Sequence, residues 1–151
     1  MFCTVVKSGI RYVARLNESV LVDARAEQTR GLVPSAECVV SCLGAPERYR
    51  AYFTRSIPGH KSSFQMLFPS QGTWASGTRF YGLSQEQPPR IAGSFPTYYF
   101  RFAVPGTSED LLHKIYGSTS VYEGVVDQFK PWPTDWNGIE IDIDPSLPIP
   151  K

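Results

Sequence analysis

Chain breakers and aromatic rings alternate along this sequence so closely that long helices have little room. Thirteen Pro and twelve Gly interrupt the chain, and nine Phe, eight Tyr and three Trp fill the stretches between them. Pro removes a backbone donor and ends helices. Aromatic residues suit pleated, half-buried strands. The combination predicts short strands joined by ordered loops. The chain has 151 residues, of which 42% are hydrophobic and 19% charged. A chain of that length buries roughly two-thirds of its unfolded surface, enough for a core without metal or disulfide support.

Period-two alternation locates several strands. Phe2 to Lys7 and Ile10 to Leu16 are apolar-rich runs split by Ser8-Gly9, which predicts a hairpin. Ser19 to Asp23 continues the sheet, since Val20, Leu21 and Val22 are strand-like. Ala24 to Arg30 is polar and reads as a surface loop or a short helix ending at Gly31. Arg48 to Arg55 places Tyr49, Ala51 and Phe53 on one face. Ser63 to Phe68 is a strand stopped by Pro69, Ser70 to Ala75 a loop of small residues, and Gly77 to Leu83 a short strand. Ser84 to Gly93 reads as an exposed loop. Pro96 to Val104 carries the clearest alternation, with Tyr98, Phe100, Phe102 and Val104 on one side.

Helix signals are fewer. Ser108 to Tyr116 has Thr107 or Ser108 as N-cap, acidic Glu109 and Asp110 in its first turn, and Gly117 to stop it. Ser35 to Leu43 fits a helix capped by Ser35 and closed by Gly44, and equally a buried strand around Cys38 to Val40. Near the C-terminus, Asn137-Gly138 is a turn dipeptide. Ile139 to Asp144 alternates strictly, and residues 145–151 form a proline-rich extended tail. The expected fold is a mainly-β, antiparallel sandwich or barrel over residues 1–144. It has about eight strands and one or two short helices.

Charge limits the partners. Lys plus Arg number 15 and Asp plus Glu 14, leaving a net charge of +1, which argues against a protein that coats a polyanion. The balance is uneven along the chain: residues 1–101 carry a net +6 and residues 102–151 a net −5. Three cysteines, Cys3, Cys38 and Cys42, cannot all pair internally. No secretory signal and no apolar run of membrane-spanning length stands out. Free thiols in a reducing, cytoplasmic setting are expected, including a particle assembled in a host cytoplasm.

No motif fixes a reaction. G-x-S-x-G, G-x-x-x-x-G-K-[ST] and G-x-G-x-x-G are all absent. Cys38-x₃-Cys42 with Cys3 and His60 has soft-donor chemistry without zinc-knuckle spacing. Asp110-x-x-His113 reads as a solvated helix pair. Glu140, Asp142 and Asp144 alternate with Ile139, Ile141 and Ile143. They suit the charged outer face of an edge strand, and alternatively a hard-cation or acid–base site. Cations interleave with rings at Arg48, Arg50, Tyr52, Arg55, Arg79, Tyr81, Tyr99 and Arg101, and Trp132 and Trp136 add further rings. Arg with Tyr and Trp is the composition of interface cores. The expectation is a non-enzymatic structural or interaction subunit of a larger assembly, such as a virion component, without a cofactor. It would bind protein partners or associate with itself. An RNA- or single-stranded-DNA-binding module is the alternative, followed by a small metal-assisted hydrolase using Glu140, Asp142 and Asp144.

Overall fold

The computed structural model describes residues 2–7, 10–17, 20–28, 33–55, 59–84, 90–117, 119–134, 136 and 142–143. The N-terminal alternation becomes β1 (Phe2–Lys7), β2 (Ile10–Asn17) and β3 (Val20–Gln28). The central strands are β4 (Arg48–Thr54), β5 (His60–Phe68), β6 (Thr73–Tyr81) and β7 (Tyr99–Phe102). Two short strands follow, β8 (Lys130–Pro131) and β9 (Asp142–Ile143). All nine join one sheet in the order β1-β2-β3-β7-β6-β5-β4-β8, with β9 also on β4. Pairing is antiparallel except between β4 and β9.

The mainly-β antiparallel expectation holds. Helices, rather than a second sheet or a closed barrel, cover the faces. α1 (Ala36–Leu43) resolves the ambiguity at Ser35 to Leu43 in favour of helix. Ser35 Oγ accepts from the Cys38 N–H at 3.2 Å, and Gly44 at φ 84° donates to the Val40 carbonyl. Gly tolerates that positive φ without the Cβ clash other residues suffer. α2 (Ser108–Tyr116) begins at Thr107, one of the two expected N-caps, and adds a capping box: the Asp110 N–H donates to Thr107 Oγ1, and the Thr107 N–H to Asp110 Oδ2. A third helix, α3 (Thr119–Val126), lay outside the one or two expected. Its β-branched residues and Gly124 give little helical signal, and it gains support by packing on α2, where His113 and Tyr122 stack at 3.7 Å.

Several boundaries differ from the sequence expectation. Of the polar segment Ala24 to Arg30, residues 24–28 are not a loop or helix but the second half of β3, and Thr29 and Arg30 lie outside the described residues. Residues 24–27 are held between β2 and β7, and Ala26 is buried. Pairing on both sides satisfies their backbone and overrides a weak local pattern. The small-residue loop ends at Gly72, because Thr73 to Ala75 already pair with β5. Pro96 to Val104 yields only four strand residues. There the chain leaves β6 to bond α1's entry, with the Thr97 N–H donating to the Pro34 carbonyl. In the expected exposed loop, Ile91 is fully buried. The Asn137-Gly138 turn, Glu140, Asp144 and the tail lie outside the described residues.

Side-chain alternation divides the core into two layers. On the α1 face, Phe53, Phe64, Met66 and Phe68 pack with Ala36 and Val39 of α1 and with Ile91 and Phe95. On the opposite face, Leu67 and Trp74 pack under Leu111 and Leu112 of α2, with Phe129 beside them. Burying each of these large side chains contributes roughly 1.5–3 kcal/mol. Gly77 of β6 lets the 91–97 segment cross the sheet closely: a Cβ there would stand 1.6 Å from the Pro96 carbonyl oxygen.

Candidate functional site

The sheet separates the cation and ring residues that the sequence interleaves. Tyr49, Ala51 and Phe53 belong to the α1-side core, so Arg48, Arg50 and Tyr52 alternate onto the α2 side. Tyr99 packs on that side as well. Arg79 and Tyr81 face α1's layer, where Tyr81 packs on Phe53 at 6.2 Å. Trp132 and Trp136 also pack against the α1-side core. Trp132 stacks on Phe64 at 6.3 Å, meets Tyr49 edge-on at 5.7 Å and tilts against Trp136 at 5.2 Å. Arg55 follows β4 directly, half-buried. One continuous cation–aromatic surface is therefore not formed.

Internal partners engage most of these cations. Arg48 Nη2 lies 3.2 Å from Glu109 Oε1. Arg101 donates to the Ile115 carbonyl at 2.7 Å and the Lys114 carbonyl at 3.1 Å, completing the last turn of α2. Arg79 donates to the Ser94 carbonyl at 3.2 Å and lies over the Phe95 ring at 5.4 Å. Arg50 is only 8% exposed and sits 4.2 Å from the centre of the Tyr52 ring. Its neighbour Tyr116 donates to Gln65 Oε1 at 2.9 Å. Burial raises the Tyr116 pKa, against the opposing pull of the Arg50 charge. One basic residue of the first part of the chain, Arg48, thus meets an acidic residue of the second, Glu109 of α2.

The other sequence candidates disperse. Asp142 stands in β9, opposite Tyr52 of β4. Among the described residues no three His, Cys, Asp or Glu side chains gather closely enough to hold a metal ion. Asp110 is used in the capping box, His113 stacks on Tyr122, and His60 meets Phe53 edge-on at 5.6 Å. Among the described residues no helix is long and apolar enough to cross a membrane.

Two features outside the interleaved cation–ring runs stand out. The first is a cavity of about 370 Å³ between α1 and the sheet. Ala26, Phe100 and Phe102 supply its sheet wall, and Cys38, Cys42 and Leu43 its helix wall. Phe100 and Phe102 stack nearly parallel, at 6.4 Å and 10°. The sequence held the parts: alternate Phe residues on one strand, and two Cys at i and i+4. Their meeting depends on non-local packing. The second feature is an inequality between the sheet's two edges. β8 and β9 both pair with the outer side of β4. Among the described residues no strand pairs with the outer side of β1.

Fold and surface together define a small, mainly antiparallel β protein with helices on both sheet faces, an apolar cavity and, among the described residues, a strand edge at β1 that no other strand covers. No family model, curated protein or solved structure matches this chain.

Proposed function

We propose that this protein is a non-enzymatic assembly subunit, and that β1 joins it to a second copy by strand addition. The observation that carries this reading is the contrast between the edges. An unpaired edge presents a row of backbone donors and acceptors to any passing strand, and proteins ordinarily block it with Pro, charge, a bulge or a covering segment. β4's edge is covered twice. β1 has the sequence Phe-Cys-Thr-Val-Val-Lys, with no Pro and a single charge at its end. Its register with β2 is unbroken over all six residues. Antiparallel pairing of β1 with its own copy across a two-fold axis closes both open edges at once.

Light scattering on size-exclusion fractions tests the proposal. A dimer is expected for the unaltered chain. Thr4→Pro and Val5→Pro, made singly, separate the two sides of the strand. The variant whose lost N–H faced β2 weakens the fold, whereas the one whose lost N–H faced outward yields a folded monomer by circular dichroism. A chain that stays monomeric at its highest soluble concentration, or a dimer that survives both substitutions, overturns the reading. A nucleic-acid interface has less support, because Arg48, Arg79 and Arg101 are engaged within the fold.

A further inference from the structure

The cavity beside α1 combines three properties. It is apolar: no Lys, Arg, His, Asp or Glu belongs to its lining. Its volume, about 370 Å³, lies within the range of small-ligand pockets. Its helix wall carries two free thiols, Cys38 and Cys42, both exposed. Residues four apart in a helix share a face, so both thiols border the same opening.

These properties narrow the occupant. An ionised ligand would have its charge desolvated with no counter-charge in the wall. A free fatty acid finds no cation in the lining to hold its carboxylate. A thioester carries the same alkyl chain without the charge, and the wall supplies the thiol to form it. The wall itself reinforces an apolar occupant: its Phe102 is 40% exposed.

We propose that Cys38 or Cys42 is a site of S-acylation, with the alkyl chain of the acyl group seated in this cavity. The donor class is a long-chain acyl thioester such as an acyl-coenzyme A. The cysteine gives up its proton and its sulfur attacks the thioester carbonyl carbon. A new sulfur–carbon bond forms, the donor's sulfur–carbon bond breaks, and the departing thiolate takes up a proton. No oxidant or reductant is consumed. The site stands apart from the β1 edge and does not depend on self-association.

The experiment incubates the purified full chain with myristoyl-coenzyme A and follows acylation by intact-mass spectrometry and peptide mapping. The expected product carries one hydroxylamine-labile acyl group on the α1 peptide. It forms at least about tenfold faster than acylation of Cys3, a ratio equivalent to a modest apolar binding contribution. The Cys38→Ser/Cys42→Ser double variant loses it. Phe102→Gln, which removes apolar wall at a partly exposed position, abolishes the preference while both thiols still react with a polar disulfide reagent. Acetyl-coenzyme A, which has no chain to bury, shows no preference and tests the same point without any substitution. Acylation spread evenly over the three cysteines, an equal preference for the acetyl donor, or no adduct overturns the proposal.

Discussion

The guanidinium of Arg101, on β7, donates to the Ile115 carbonyl of α2 at 2.7 Å. A sheet side chain thereby supplies the donor that the last turn of the helix lacks, and a positive charge sits at the negative end of the helix dipole. The same guanidinium reaches the Lys114 carbonyl at 3.1 Å.

Arg101→Met keeps the apolar stem and removes both bonds. Hydrogen bonds to charged groups are worth about 1.5–3 kcal/mol, and partial exposure of Arg101 places the expected loss near the lower end. Urea denaturation is expected to show a lower midpoint with an unchanged slope. An unchanged midpoint would mean that α2 is held by its apolar face alone.

Gly77 and Gly124 are expected to respond to alanine in opposite directions. At Gly77 the new Cβ meets the Pro96 carbonyl oxygen at 1.6 Å, its carbon at 2.7 Å and Thr97 Cα at 3.1 Å. All three are backbone atoms, so no rotamer change relieves the clash, and a loss of about 3 kcal/mol or more is expected. At Gly124, within α3, a Cβ meets nothing within 4 Å. Alanine there gains roughly 0.5–1 kcal/mol through helix propensity. Thermal and urea unfolding of the two variants measure both signs.

Tyr116 makes stability depend on alkaline pH. Burial raises its pKa above the ordinary value of 10.0. The folded state therefore favours the neutral phenol. That contribution is complete below pH 10.0 and is lost as pH rises through the folded-state value. Tyr116→Phe should remove this alkaline limb. At neutral pH it should cost about 1 kcal/mol, because Gln65 loses its donor. Urea midpoints for both proteins at neutral and strongly alkaline pH give the comparison, and a parallel decline in both would place the alkaline sensitivity elsewhere.

Local signals survived into the structure where their causes are local. Thr107 and Gly117 bound α2 because capping bonds reach only three or four residues along the chain. Tyr49, Ala51 and Phe53 share a face because strand geometry alternates whatever lies beside it. By the same logic Ser35 and Gly44 bracket α1, although local pattern alone left helix and strand equally open.

The sequence by itself therefore determined a mainly-β chain, the caps of its best helix, the faces of its clearest strands and an uneven division of charge. Tertiary structure decided the rest. Ala24 to Glu27 became strand only because β2 and β7 supplied partners on both sides. Arg48 met Glu109 only because α2 returns across β4, joining residues 61 positions apart. The cavity exists only where α1 meets β3 and β7. Caps and alternation act within a turn or two of chain, whereas strand order, ion pairing and cavity shape depend on which distant segments the buried core brings together.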